Sequence, residues 1–312
     1  MSLARAIETG DLAELPSRRD EDWRWTDLRG LLRVLPARVA ETDAEAIEVA
    51  AGETRLVRLD FVTGEGAEVV RRRIRIGGEA VLIETHRGGG ISEIDLAITL
   101  EPGARLERIV LVEAAEDAVQ VVIATVALAA GARFAQTVVT GGAKRQRIET
   151  RLRHAGGGAE ARLDGLYLVS GRRHADLTTV VIHEGPGGVT NQLTKGVATD
   201  QGRGVFQGRI EVKPGADVTD AKMGHHALVL GDRAEVDAKP ELEIWADDVV
   251  CSHGNTIGAL DEEALFYARQ RGIPEPEARA MLTEAFLGEV IDRIGNEEAR
   301  DAVAAFVAER LA

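Results

Sequence analysis

A cysteine and a histidine two residues apart are the side chains in this sequence whose types and spacing best suit chemistry. Cys251 is the only cysteine of the chain, and His253 follows it in the run CSHG. On an extended strand, residues i and i+2 face the same side, so the thiol and the imidazole would be presented together. Both groups are metal ligands in proteins. The pair is therefore a candidate metal or cluster site, although a free cysteine is also a common space-filling residue of protein cores.

The number of available ligands limits what this pair can hold alone. A structural zinc site takes four protein ligands, and the common iron-sulfur clusters take four cysteines. One cysteine and one histidine close neither site. The remaining ligands would come from nearby carboxylates or histidines, or from another polypeptide that meets this surface.

Composition excludes several classes of function. The chain has 312 residues, of which 45% are hydrophobic and 29% charged, as expected for a folded protein with a large core. A formal net charge of −14 and an aromatic content of 4% argue against a nucleic-acid partner. The start MSLARAIETGD lacks the apolar run of a secretory signal, and the most apolar stretch, 118–130, is too short to span a bilayer. With its single cysteine, the chain is predicted to be cytoplasmic, with no membrane partner.

The elements that would position the pair follow a repeat. From about Arg55, short alternating strand patterns are separated by glycine turns at Gly77, Gly103, Gly131, Gly158, Gly187 and Gly215, at intervals of 26, 28, 27, 29 and 28 residues. Strand units of fixed period that cannot bury their own faces are typical of a solenoid. We therefore expect a mainly β fold, a β-helix whose coils stack over residues 51–257.

A solenoid brings residues one coil apart into contact. A step of 28 residues back from His253 leads to His225, so His225 or its neighbour His226 is predicted to lie beside the pair. The similarity of DVTDAK at 217–222 to EVDAK at 235–239 suggests a competing register for the last coils. The remaining histidines have no metal-ligand spacing and are expected on the surface; they are His86, His154, His174 and His183.

The two ends of the chain read as helical. Residues 1–50 favour short helices, in which Trp23 and Trp25 are expected to dock onto the main body and Thr26 to cap a helix. Residues 258–312 predict three helices, with Asp261 and Asn296 as caps. The chain contains no phosphate-binding loop, nucleophile elbow or dinucleotide fingerprint.

The motifs of the C-terminal part resemble a known family. The order AKPELEI, DDVVCSHG, LDEEALFY and RGIP, followed by a long helix, is similar over 234–294 to the SufB/SufD scaffold proteins of the SUF iron-sulfur cluster assembly system. FQGRIEVKPGADVTDAK at 206–222 and EDWRWTDLRGL near the start also resemble family segments, and CSHG is of the SufD type. Asn255 departs from the pattern, since the family usually has a small residue there, and the chain is short for a SufD.

The resemblance implies a right-handed parallel β-helix between small α-helical N-terminal and C-terminal regions. It also implies that the chain pairs through the β-helix with a SufB-like scaffold and binds a SufC-like ABC ATPase through its C-terminal domain. His253 corresponds to the family histidine at the interface where a nascent cluster forms, and Cys251 is its neighbour. A transient iron-sulfur cluster at that interface is expected, with no tightly bound cofactor. On the C-terminal helices, the predicted ATPase-docking residues are Leu265, Phe266, Leu282 and Phe286.

The sequence thus predicts a SufD-like scaffold component that is not an enzyme. Two other classes of function stay open at this point. One is a metal-free homodimeric interaction scaffold, which a buried and inert thiol would favour. The other is a polysaccharide-active β-helix enzyme, which would need clustered carboxylates on one face and secretion.

Overall fold

Two long parallel sheets form the body of the protein. The computed structural model describes residues 1–39 and 46–311, so positions 40–45 of the predicted N-terminal region and Ala312 lie outside the described residues. In the described ranges, sixteen strands alternate between two eight-stranded parallel sheets, one with the odd-numbered and one with the even-numbered strands. Each coil contributes one strand to each sheet. The predicted parallel β-solenoid is confirmed, with about eight turns.

The odd sheet consists of β1 (Ile47–Val49), β3 (Ala67–Ile76), β5 (Ile91–Leu100), β7 (Val119–Leu128), β9 (Arg145–His154), β11 (His174–His183), β13 (Arg203–Val212) and β15 (Glu235–Ile244). The even sheet consists of β2 (Thr54–Thr63), β4 (Glu79–Gly88), β6 (Arg105–Ala114), β8 (Arg133–Thr140), β10 (Glu160–Val169), β12 (Val189–Ala198), β14 (Asp220–Val229) and β16 (Val250–Gly258). The helices are α1 (Leu3–Thr9), α2 (Leu28–Leu31), α3 (Glu262–Gln270), α4 (Glu275–Ile291) and α5 (Glu297–Leu311), with short 3-10 turns at Leu12–Glu14 and Glu21–Trp23.

The strands keep their length while the turns vary, so the coil length is not constant. Ala67 lies opposite Ile91, a step of 24 residues, whereas Arg203 lies opposite Glu235, a step of 32. Five of the six glycines that mark the repeat have positive φ values between 67° and 83°, and Gly77 is the exception. A left-handed backbone favours glycine, which explains why the turns are visible in the sequence.

The space between the sheets is filled by alternate side chains of every strand, including polar ones. His86, His154 and His183 point inward and are 0% exposed, and the rings of His154 and His183 stack with centroids 4.5 Å apart. His174 is 2% exposed beneath the N-terminal segment, where its Nε2 lies 3.0 Å from the carbonyl of Trp25. The expectation that these four histidines lie on the surface is wrong, because neighbouring coils and the N-terminal segment cover them.

The N-terminal segment packs on the outer face of the odd sheet. The ring of Trp23 lies 4.5 Å from Cζ of Arg147, which confirms the docking role predicted for this tryptophan. Trp25 meets the body through its backbone carbonyl, at His174. Thr26 does not cap α2; Asp27 does so by accepting from the backbone of Gly30, and the buried Thr26 hydroxyl instead donates to Asp176. The solenoid starts at β1, a few residues before the predicted boundary at 51.

The C-terminal helices cover the outer face of the even sheet. Asp261 caps α3 through two backbone N–H groups, and the Asn296 side chain accepts from Ala299 at the start of α5, as predicted. The apolar faces of α4 and α5 are buried against outward-facing residues of the even sheet. The helix residues in this contact include Leu287, Val290, Val303, Phe306 and Val307. None of the helices in the described part of the chain has the length and apolar character needed to cross a membrane.

Candidate functional site at the open end of the solenoid

Cys251 and His253 lie together on β16, the last strand of the even sheet. Their register partners on β14 are Ala221 and Met223, which are both buried and face the interior. The pair therefore belongs to the inward row of the last coil, as the i, i+2 spacing predicts. No described strand covers this coil from above, so His253 is exposed and Cys251 is half-buried.

The step from β14 to β16 is 30 residues, not 28, and this changes the predicted neighbours. His253 lies opposite Met223, while His225 lies opposite Asn255 and His226 opposite Thr256. The competing register is also wrong, because 217–222 and 235–239 belong to different sheets. Along β14, His225 lies two residues, about 7 Å, beyond Met223, the residue that is opposite His253. It lies four residues beyond Ala221, the residue that is opposite Cys251. The predicted grouping of His225 or His226 with Cys251 is therefore not formed.

The environment of Cys251 makes it a weak nucleophile. Burial raises the pKa of its thiol, and a nearby carboxylate, Asp220, acts in the same direction. The side chain packs against the main hydrophobic core. Within residues 1–39 and 46–311, no group of three or more His, Cys, Asp and Glu side chains is arranged to hold a metal ion. The described residues therefore offer Cys251 and His253 no further ligand.

The last coil is the least covered part of the solenoid. Most residues of β16 are exposed, whereas the inward residues of β4 to β14 are mostly buried. Large apolar side chains that were not predicted as functional lie exposed around it: Ile244, Trp245, Val250 and Ile257, with exposed fractions from 42% to 65%. The signal was available in the sequence, because these residues flank CSHG. We call this region, β15, β16 and the turn between them, the open coil.

The four residues predicted to dock an ATPase have different environments. Phe266 on α3 is 63% exposed, but Leu265 is only 3% exposed and faces the helix packing. Leu282 and Phe286 on α4 are partly buried against the apolar cluster under the helices. The Lys195 ammonium lies 4.4 Å from the ring centroid of Phe286 and donates to its carbonyl.

An exposed aromatic and apolar surface nevertheless exists on these helices. Tyr267 and Met281, 61% and 50% exposed, accompany Phe266 there. Neither was among the predicted docking residues, because helical spacing alone did not show which side of α3 and of α4 would be buried.

Comparisons with known proteins agree with this architecture. The family model "SUF system FeS cluster assembly, SufBD core domain" matches residues 67–286. The iron-sulfur cluster assembly protein SufD of Escherichia coli is 37% identical over 179 residues, which cover 57% of this chain and 42% of that protein. A SufBD family iron-sulfur cluster assembly protein of Mycobacterium bovis is 31% identical over 259 residues, 80% of this chain and 65% of the relative.

A third relative is the SufD of Bacillus subtilis, 32% identical over 124 residues, 40% of this chain and 28% of that protein. The chain thus spans less than two thirds of the length of these relatives. The family model covers well over half of the chain, including the last coils and most of α4. The chain belongs to the SufB/SufD family of the SUF iron-sulfur cluster assembly system and is of the SufD type.

Proposed function

We propose that this chain is a scaffold subunit of a SUF assembly complex, whose open coil pairs with the β-helix of a SufB-like chain. The observation that carries the proposal is the state of the last coil. Among the described strands, its two strands have a sheet neighbour on one side only, and exposed Trp245 and Val250 lie at its corner. An uncovered strand edge with apolar side chains favours pairing with another β-structure.

The role proposed for the Cys251 and His253 pair follows from its place in this coil. His253, and secondarily Cys251, would supply ligands to a nascent iron-sulfur cluster, with the remaining ligands on the partner chain. Two ligands from one chain are too few to hold a cluster tightly. A site divided between two chains also allows the cluster to be released when the interface opens.

The C-terminal helices are proposed to dock a SufC-like ABC ATPase through Phe266, Tyr267 and Met281. These side chains are exposed on α3 and α4, while other residues of α4 pack on the sheet and α3 packs against α4. ATP hydrolysis would then occur in the partner, since this chain has no phosphate-binding loop. In this proposal the chain acts as a scaffold and not as an enzyme.

The test is an anaerobic affinity purification of the tagged chain from its own host, with mass spectrometry and assays of iron and acid-labile sulfide. Recovery of a SufB-like chain and an ABC ATPase is the expected result. His253→Ala should leave both partners bound but lower cluster formation, while Ser252→Ala, on the other face of β16, should behave as wild type. Recovery of neither partner, or only of a second copy of the chain, would refute the proposal and favour the homodimeric scaffold.

ATPase docking needs a separate test, in which point variants are preferable to deletion of the helices. Deletion would expose the apolar cluster under α4 and α5 and could unfold the body. Phe266→Glu should weaken ATPase binding and leave SufB-like binding unchanged. The matched control is Val34→Glu, which introduces the same charge at another exposed apolar site, 74% exposed, on the N-terminal segment. Equal ATPase binding by both variants would exclude this docking surface.

A further inference from the structure

Three hydrogen-bonded side chains connect the buried interior to the open coil. The hydroxyl of Tyr167 on β10 lies 3.0 Å from Nε2 of His225 on β14. Nδ1 of His225 lies 2.6 Å from Oδ1 of Asn255 on β16. Tyr167 is 0% and His225 1% exposed, whereas Asn255 is exposed, so the chain of bonds ends at the surface.

The surrounding residues prevent the Tyr167 and His225 side chains from changing their orientation. The ring of Phe206 stacks on His225 with centroids 4.7 Å apart and an interplanar angle of 3°. Gly196 and Gly204 make room for the Tyr167 ring, because a Cβ atom at either position would overlap its atoms. The orientation of His225 is therefore determined by packing on both sides.

Hydrogen-bond chemistry then fixes which atoms carry the protons. The Oδ1 atom of Asn255 has no hydrogen and can only accept, so Nδ1 of His225 is the donor in that bond and Nε2 is left as an acceptor. The Tyr167 hydroxyl, which stays protonated because burial raises its pKa, donates to this Nε2. Burial also lowers the pKa of His225 to about 4, so the ring is neutral at physiological pH and carries its proton on Nδ1. Nδ1–H must meet an acceptor, which is the carbonyl oxygen of the Asn255 side chain. The Asn255 amide nitrogen consequently points away from His225.

The Asn255 amide nitrogen is thus a donor held in place with nothing to donate to in the described part of the chain. His253 precedes it by two residues on the same row of the last coil. Because the oxygen of this amide is already bonded to His225, only its N–H group remains for a contact with another molecule. It favours a hydrogen-bond acceptor and disfavours a second donor such as a lysine.

We propose that Tyr167 and His225 are positioning residues that aim the Asn255 amide N–H group, beside His253, at a hydrogen-bond acceptor of the chain that pairs with the open coil. This inference rests on the proposed function, since it takes the SufB-like chain as the partner. It assigns a recognition role to the residue at which this sequence departs from the usual small residue of the family motif.

The positioning step is tested by ¹⁵N NMR of histidine-labelled protein, which distinguishes the two imidazole tautomers. His225 should show only the Nδ1–H form in the wild type. Tyr167→Phe removes the donor to Nε2, so a mixture with the Nε2–H form should appear, and the Asn255 amide should rotate in part of the molecules. An Nε2–H tautomer in the wild type would overturn the inference.

The recognition step is tested by the affinity of the purified SufB-like chain for variants of Asn255. Asn255→Asp keeps an oxygen for His225 but removes the donor, and Asn255→Ala removes both; each should weaken binding about tenfold. Tyr167→Phe should weaken it about twofold, since about half of the molecules would present the amide correctly. Thr256→Val is the matched control, because Thr256 bonds His226 on the outer face of the same strands and should leave affinity unchanged.

The possible outcomes separate the two proposals. Tight partner binding that is unchanged in Asn255→Asp and Asn255→Ala would overturn the role of Asn255 alone. If Thr256→Val lost as much partner affinity as the Asn255 variants, binding would depend only on how firmly β16 is attached to β14. That result would also overturn the role of Asn255. A wild-type chain that binds no SufB-like partner would refute the proposed function, and this inference with it.

Discussion

The closed body of the solenoid and its open coil are built from the same kind of strand but treat polar side chains in opposite ways. In the body, Glu84 and Arg108 are both 0% exposed and form two hydrogen bonds of 2.6 and 2.7 Å. Burial alone would raise the pKa of Glu84, but the charge and hydrogen bonds of Arg108, with His86, hold it at about 2. In the open coil, His253 is exposed, and no bond to its ring is found among the described residues.

This difference separates stability from function. A charged group inside the body, such as Glu84, depends on a partner within the body, because an unpaired buried group costs free energy. The open coil has a neighbouring coil on one side only, so the His253 ring and the Asn255 amide nitrogen keep bonding capacity for another molecule. Substitutions in the body should therefore change the free energy of unfolding, and substitutions in the open coil should change binding.

The largest effect is expected from the ion pair inside the body. Arg108→Met leaves the Glu84 carboxylate buried without its cation and should lower the free energy of unfolding by about 3 to 5 kcal/mol. Urea unfolding followed by circular dichroism measures the loss. The double variant with Glu84→Leu should recover much of it, because no uncompensated charge remains. A loss below about 1 kcal/mol for Arg108→Met would contradict the importance of this pair.

A methyl group placed in each region gives the next contrast. Gly196→Ala puts a Cβ atom into the ring of Tyr167 and should destabilise the protein by about 1 to 3 kcal/mol. Gly254→Ala on β16 meets no atom within 4 Å and should change stability by less than about 0.5 kcal/mol. Thermal unfolding of both variants provides the measurement. Similar losses in the two would show that the open coil is packed as tightly as the body.

Buried histidines should make the body sensitive to acid. Burial lowers the pKa of His154, and holds the pKa values of His174 and His183 at about 3. Below the unfolded-state pKa near 6.5, these groups bind protons only in the unfolded chain, so stability falls as pH falls. Two buried carboxyls act in the opposite sense between about pH 4.5 and 6, because burial raises the pKa of Glu93 to about 7 and of Asp164 to about 6.

The contribution of one histidine can be isolated by substitution. His183→Gln should reduce the slope of unfolding free energy against pH by about 1.4 kcal/mol per pH unit between pH 5 and 6. Denaturant unfolding at several pH values within this range measures the slope. Gly254→Ala, which removes no titratable group, should keep the wild-type slope. An unchanged slope in His183→Gln would mean that water reaches this ring in the folded protein.

The smallest effect on stability is expected at His253. His253→Ala removes an exposed ring with no described partner and should change the free energy of unfolding by less than about 0.5 kcal/mol. Differential scanning calorimetry of this variant beside the wild type is sufficient. A larger loss would place His253 in the structural framework of the coil, and a defect in cluster assembly could then no longer be assigned to ligand chemistry.

The predictable parts of the fold are those encoded over short distances. Turn glycines with positive φ, strand alternation and the caps Asp261 and Asn296 depend on local backbone chemistry, so they were recognised from the sequence. The i, i+2 placement of Cys251 and His253 has the same origin. By contrast, Thr26 was misjudged because a distant residue, Asp176, offered its hydroxyl a buried acceptor.

By itself, the sequence determined the solenoid, its helical ends, the family and the pair at the candidate site, since repeats, caps and motifs are properties of neighbouring residues. Only the tertiary structure decided the register of the last coil, the burial of four histidines and the bond between His225 and Asn255. These depend on how many residues each turn adds, from 24 to 32 per coil, and therefore on which side chains meet across coils. A difference of two residues between an average repeat and the actual step moved His225 from His253 to Asn255.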